Sequence, residues 1–173
     1  MFGKVCMNGV LYFGAKLGQS AKLGQSRVIV CFDVRSEKFS FINLDKDMLA
    51  EDNAYGGCLA LFNYKGKLGL REGTAYWSTK LVLWVLEDAG SHEWSKQTCV
   101  LPHLRSTKRF VGMTGTGDIV FSSLRNKRSD LFCVYLYNLE SKTFTSVNIQ
   151  GFEEFLHRNI RTVLDYVENI KFI

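Results

Sequence analysis

The sequence predicts an all-β chain: a partial β-propeller of about three four-stranded antiparallel blades, followed by a C-terminal amphipathic helix. Three observations carry this expectation. Apolar residues come in short bursts broken by Gly, Asn, Asp and Ser, the pattern of many short strands. Aromatic residues make up 13% of the chain while Pro occurs once, at Pro102, a balance suited to pleated, half-buried surfaces. The chain also repeats itself three times at an interval of 51–57 residues, and self-similarity at such a period marks repeat architectures.

The elements follow from two recurring phrases. The first is Asn8–Phe13 (NGVLYF), Lys65–Leu70 (KGKLGL) and Thr116–Phe121 (TGDIVF), each a glycine turn entering a strand. The second is Cys31–Val34 followed by Phe39, Leu83–Leu86 followed by Trp94, and Leu136–Leu139 followed by Phe144. These read as hairpins whose return strand opens on an aromatic that packs between blades. Val34 to Leu86 is 52 residues, Leu86 to Leu139 is 53 and Gly66 to Gly117 is 51, whereas Gly9 to Gly66 is 57. The excess is explained by Ala15–Ser20 (AKLGQS), which recurs letter for letter as Ala21–Ser26. A tandem duplication is therefore expected to lengthen one loop, Ala15–Ser26.

A repeat of this length holding four short strands is the signature of a kelch-like blade. The expected strands are Lys4–Met7, Val10–Gly14, Arg27–Asp33 and Phe39–Asn43, then Cys58–Asn63, Lys67–Arg71, Lys80–Glu87 and Trp94–Val100. The third set is Phe110–Thr114, Asp118–Ser123, Leu131–Asn138 and Thr143–Ile149. The blades thus span about 3–44, 58–100 and 110–149 of one domain covering 1–173. Beyond them the period changes from 2 to 3.6, because Phe152, Phe155, Leu156, Ile160, Val163, Leu164 and Val167 share one helical stripe. A helix is expected over about 151–169. Known propellers close with roughly four to eight blades. Three leave two outer blade faces to be covered, one of them expected under this helix.

Composition narrows the function classes. The 173 residues carry a formal charge of +5, with 46% apolar, so a soluble globular domain is expected. The longest apolar runs, such as Leu81–Leu86, fall far short of the roughly 18–20 residues of a membrane span, and the N-terminus does not read as a secretory signal. Five cysteines, Cys6, Cys31, Cys58, Cys99 and Cys133, lack any Cys-x-x-Cys pairing. That usage fits reduced thiols of a protein in the cytoplasm or nucleus.

Catalytic chemistry finds little material. His92, His103 and His157 have no metal-ligand spacing, and no Gly-x-Ser-x-Gly elbow occurs. Gly112–Gly117 (GMTGTG) resembles a phosphate cradle, but Asp118–Ser123 after it alternates as a strand rather than opening a helix. A hairpin turn is expected there. The sequence reading is therefore a non-enzyme with no catalytic residues, no cofactor and no metal.

The charge pattern points to a partner surface. With strands running up and down, the loops joining second to third strands share one rim. These loops hold Lys16, Lys22, Arg27, Arg71, Lys80, Arg125, Lys127 and Arg128 against Glu72 and Asp130. Such a rim suits acidic or phosphorylated protein partners through charge-assisted Arg and Lys contacts; the competing reading is a solvated rim that keeps the chain in solution. Tyr76 and Trp77 lie in one of these loops without surrounding apolar periodicity, which suits an interface anchor and equally an aromatic tucked against its own blade. The candidate partner-binding residues are Lys22, Arg27, Arg71, Tyr76, Trp77, Lys80, Arg125, Lys127 and Arg128.

Five phrases stand out: Val5–Tyr12 (VCMNGVLY), Phe32–Phe39 (FDVRSEKF), Tyr64–Leu68 (YKGKL), Leu83–Asp88 (LWVLED) with Trp94-Ser95, and the terminal Val163–Ile170 (VLDYVENI). Together they resemble the F-box-associated interaction domain of plant F-box proteins, in its kelch-like third type. The resemblance implies a substrate-recruiting module of a cullin-type (SCF) ubiquitin ligase with an unknown protein target. The ligase adaptor would be reached only through an F-box, and nothing here resembles that short helical unit. Met1 falls where the family's domain is half finished, so the chain is expected to be the C-terminal part of a larger protein or a truncated relative. Two readings from other classes stay open: a basic nucleic-acid-binding β-domain, which pI ≈ 9.0 allows but no RNA- or DNA-binding motif supports, and a fragment of a propeller-fold enzyme.

Overall fold

The structure, a computed structural model, describes residues 3–17, 26–44, 46–49, 59–72, 79–101, 108–123, 132–151 and 162–164. Twelve strands among them form three four-stranded antiparallel sheets, each wound in simple sequence order. The first sheet contains β1 (Lys4–Met7), β2 (Val10–Leu17), β3 (Ser26–Asp33) and β4 (Lys38–Asn43). The second contains β5 (Ala60–Tyr64), β6 (Lys67–Arg71), β7 (Lys80–Asp88) and β8 (Glu93–Val100). The third contains β9 (Lys108–Met113), β10 (Asp118–Ser123), β11 (Phe132–Asn138) and β12 (Phe144–Ile149). The chain divides into two compact units, Met1–Ser106 with the first two sheets and Thr107–Ile173 with the third.

Three kinds of turn set the strand order. Asn8-Gly9 and Lys65-Gly66 take positive φ at both central positions (53° and 78°, 49° and 89°), the type I′ geometry whose twist matches a two-residue hairpin. In the third sheet the corresponding connection is the longer Thr114–Gly117. There Thr114 N–H donates to Asp118 O and Gly117 N–H to Thr114 O. The Gly112–Gly117 stretch is thus a strand end and a hairpin turn, as its alternation implies.

The third kind closes β3–β4, β7–β8 and β11–β12 with one recurring device. Asp33 Oδ1 accepts the N–H groups of Arg35 and Ser36, Asp88 Oδ1 those of Gly90 and Ser91, and Asn138 Oδ1 those of Glu140 and Ser141. Glu37, His92 and Lys142 follow in the left-handed region, with φ of 55–56°. This is an Asx turn built from Asp/Asn-x-x-Ser-x. It also corrects the repeat alignment, since Val34 is equivalent to Ala89 and not to the buried Leu86. A β-bulge between Leu86 and Asp88 adds one residue to β7, an irregularity that even spacing hides.

Two further expectations change. Ala15–Leu17 are strand, paired in register with Val28, Arg27 and Ser26, because the antiparallel ladder keeps adding hydrogen bonds past Gly14. The duplicated segment is therefore part strand and not all loop. The terminal helix over about 151–169 lies mostly outside the described residues. Within it, Thr162–Leu164 are not helical, at a Thr-Val pair whose β-branched side chains are stiff in a helix. No helix among the described residues is long and apolar enough to cross a membrane.

In the first unit, the first two sheets pack face to face. Met7, Ile29, Cys31 and Ile42 from one meet Leu61, Leu70, Trp84 and Leu86 from the other, joined by Met48 of the 3-10 turn Lys46–Leu49. The second sheet's opposite face buries Phe62, Leu81, Leu83 and Val85. There Phe62 lies over Gly69, its cross-strand partner, so closely that a Cβ on Gly69 would sit 2.6 Å from the ring. The third sheet buries Phe110, Met113, Ile119, Phe121 and Tyr137, with the Phe110 and Phe121 rings edge to face at 5.9 Å.

Candidate partner-binding surface

Of the nine residues singled out on the basic rim, Lys22, Tyr76, Trp77, Arg125, Lys127 and Arg128 lie outside the described residues. The other three stand at strand ends. Arg27 faces Lys16 across the β2–β3 pair, Arg71 closes β6 and Lys80 opens β7 opposite Val100. Lys80 is exposed, whereas Arg27 and Arg71 are half-buried and Arg71 Nε is out of solvent. Beside Arg71, Glu72 Oε2 accepts a 3.1 Å hydrogen bond from the Trp84 indole N–H, while Lys96 Nζ sits 4.7 Å from the Trp84 ring centroid. A cation over an indole is attracted by the ring's negative face. Both groups therefore brace the second sheet as well as contributing charge at its edge.

The opposite rim is almost fully described. In the first unit it carries Asn8-Gly9, Val34–Lys38, Lys65–Lys67 and Glu87–Glu93. Asn8 Nδ2 donates to Gly66 O, tying the first sheet's hairpin to the second's. Lys67 pairs with Glu87, whose other carboxylate oxygen accepts from Ser95 Oγ at 2.6 Å. Those two partners hold the Glu87 carboxyl below the usual carboxylate range. The backbone N–H groups of Ser36 and Arg35 do the same for Asp33, and those of Ser91 and Gly90 for Asp88. Asp33 and Asp88 are thus engaged by their own turns, and Glu87 by Lys67 and Ser95.

The third sheet has a polar cleft beside its own Asn138 turn, lined by Asp118, Leu136, Asn138, Ser141, Thr143 and Thr145. Asp118 accepts from Asn138 Nδ2 (2.7 Å) and Thr116 Oγ1 (2.8 Å), which occupies both carboxylate oxygens. On the sheet's other face, Lys108 Nζ lies 4.7 Å from the Tyr135 ring and 5.7 Å from that of Phe144. Among the described residues no group of three or more His, Cys, Asp or Glu is placed to hold a metal ion. Burial pushes the Cys31 thiol up, against an opposing hydrogen bond from Ser40. A raised thiol holds less of the nucleophilic thiolate.

Sequence reasoning overlooked one surface. Phe39, expected between blades, is 62% exposed, and its strand neighbour Phe41 is 52% exposed. The repeat assigned Phe39 the same position as the partly buried Trp94. What differs is the neighbour on that side, which periodicity does not report. The available signal was Phe41 itself, an aromatic where the second repeat has Lys96.

Comparison with known proteins bears on these surfaces. Residues 2–167 match the family described as the F-box associated beta propeller domain. The chain is 43% identical over 174 residues to the putative F-box protein At1g53370 of Arabidopsis thaliana, covering 99% of this chain and 42% of that protein. The F-box protein At1g53790 of the same plant is 40% identical, with 96% of this chain and 37% of that protein covered. The Arabidopsis F-box protein DOR is 39% identical, with 98% and 42% covered. The chain spans less than half the length of each of these curated relatives.

Proposed function

Because the chain belongs to the F-box associated beta propeller domain family, we propose that it is a protein-interaction module that holds the target of an SCF-type ubiquitin ligase. The observation that carries this reading is the family match along almost the whole chain, with relatives that are themselves F-box proteins. On this reading the domain catalyses nothing. It works in the cytoplasm or nucleus, and it reaches the ligase adaptor only through an F-box carried elsewhere. The target, acidic or phosphorylated, is held by the loop aromatics Tyr76 and Trp77 with Lys22, Arg27, Arg71, Lys80, Arg125, Lys127 and Arg128 around them. An aromatic anchor acting together with basic side chains combines a large apolar contact with electrostatic steering.

The test is quantitative affinity capture from Arabidopsis thaliana tissue with the wild-type chain, Trp77→Ala and the Arg125→Glu/Arg128→Glu double variant. Proteins retained by the wild type should be depleted with Trp77→Ala, which costs about 2 kcal/mol as an anchor residue. The charge variant should slow association, most strongly at low salt. An unchanged set of retained proteins with both variants would move the recognition surface to the opposite rim. Capture of nucleic acid, released steeply by salt, would replace the reading altogether.

A further inference from the structure

The two tight hairpins of the first unit share a backbone and differ in chemistry. Asn8-Gly9 and Lys65-Gly66 both turn through the left-handed region, yet Asn8 alone of the chain's asparagines is followed by glycine. An asparagine side-chain amide can be attacked by the backbone nitrogen of the next residue, and glycine offers that nitrogen with no side chain in the way. At Asn43, Asn63, Asn138 and Asn148 the next residue is Leu, Tyr, Leu or Ile, and the last three also hold their Oδ1 in hydrogen bonds. Asn8 is exposed, and among the described residues its amide is held only by a long bond, 3.4 Å from Nδ2 to Gly66 O. The turn is closed by its flanking residues, Met7 and Val10, and among the described residues no hydrogen bond takes up the Gly9 N–H. A charge completes the arrangement. Arg35, exposed on the β3–β4 turn, places Nε 4.0 Å from the point where a side chain on Gly9 would begin, and Val34 N–H donates to Gly9 O, which holds that turn against this one. Around Gly66 nothing lies that close.

We infer that Asn8-Gly9 is a site of spontaneous deamidation in the folded chain, with the Arg35 guanidinium stabilising the charge that develops there. Base in solution takes the Gly9 amide proton, and the nitrogen attacks Asn8 Cγ. As that C–N bond forms, the Cγ–Nδ2 bond breaks, and Nδ2 takes a proton from water and leaves as ammonia. Water then opens the cyclic imide. Cleavage at Cγ gives aspartate, whereas cleavage at the Asn8 backbone carbonyl gives isoaspartate, whose main chain runs through Cγ. Negative charge builds first on the nitrogen and then on the oxygen bonded to Cγ, and a guanidinium beside Gly9 favours both. The product has lost the Nδ2 donor, so the link from the first hairpin to Gly66 O is cut. Isoaspartate also lengthens the main chain of a turn whose two residues match the twist of their strands. The rim thus passes, in one direction only, from a braced state to a looser and more acidic one. The Lys65-Gly66 hairpin, with no amide in its turn, cannot follow.

The experiment incubates the folded wild-type chain in warm, mildly alkaline buffer and follows every asparagine-containing peptide by mass spectrometry. The peptide with Asn8-Gly9 should gain about 1 Da before any other, and enzymatic methylation of the isoaspartyl carboxylate should label it there. Arg35→Gln should slow this conversion about threefold or more in the folded chain. In urea, where the two turns are no longer held together, the variant and the wild type should convert alike. The Asx turn uses the backbone N–H of Arg35 and not its side chain, so the variant keeps the fold, with circular dichroism as the control. The converted chain, once purified, should exchange backbone hydrogens faster at both hairpins than the unconverted chain does. Another asparagine converting first, or equal rates for wild type and Arg35→Gln in the folded state, would overturn the site. Unchanged exchange at Lys65–Lys67 would overturn the loosening of the rim.

Discussion

Asp33, Asp88 and Asn138 fill one role in three hairpins, yet only the first two titrate. Backbone N–H groups bonded to the carboxylate favour its charged form, so folding lowers both Asp pKa values from the ordinary 3.8. A lowered pKa means a contribution to stability that is complete above 3.8 and disappears as pH falls through the lower folded value. Asn accepts the same two bonds without a charge, as Asn138 does. Asp33→Asn/Asp88→Asn should therefore keep the fold at neutral pH and show a shallower loss of stability below pH 3.8. Urea titrations of both proteins between neutral and strongly acid pH check this. Parallel acid profiles would mean that the two carboxylates are as protonatable folded as unfolded.

At the scale of elements, the pairing of Leu17 with Ser26 gives the hexapeptide duplication a structural meaning. Removing Ala21–Ser26 leaves Ser20 directly before Arg27. Ser20 then takes the place of Ser26 opposite Leu17, and only Gly18-Gln19 remain between the strands. Gly followed by another residue is the sequence of a two-residue type II′ hairpin. The even length of the deletion also preserves which side chains face the core. The shortened chain should fold with stability unchanged or raised by about 1 kcal/mol, since each halving of a loop recovers about 0.6 kcal/mol of closure entropy. Denaturant titration measures it, and a loss of several kcal/mol would show that the second copy of the hexapeptide is packed.

At the scale of the whole molecule, the division into Met1–Ser106 and Thr107–Ile173 has a thermodynamic signature. All three tryptophans, Trp77, Trp84 and Trp94, fall in the first unit, whereas both units contribute strands. The first unit has its own core, with two sheets around Ile29, Leu70 and Trp84. It should therefore unfold at a different urea concentration from the third sheet. Tryptophan fluorescence and far-ultraviolet circular dichroism would then give curves that do not coincide, the usual sign that two-state behaviour has failed. Superimposable curves would show one cooperative body.

The strands were legible in the sequence because their determinants are local. Side-chain alternation, Asn8-Gly9 and Lys65-Gly66 at the tight turns, and an aromatic opening each return strand act over a few residues, and eleven of the twelve expected strands lie within two residues of the observed ones at both ends. The exception is β2, three residues longer than expected, because cross-strand pairing with Ser26–Val28 overrides what its own residues suggest. The bulge after Leu86 escaped notice for a similar reason, since an extra residue shows only against the partner strand. The candidate surface divides along the same line. Which residues carry charge on the basic loops is a property of the sequence. That Arg71 Nε is buried while Lys80 is exposed, and that Phe39 stands open where Trp94 is covered, depends on which sheet lies alongside. Hydrophobicity records a residue's preference to leave water, and only the tertiary structure supplies the neighbour that satisfies it.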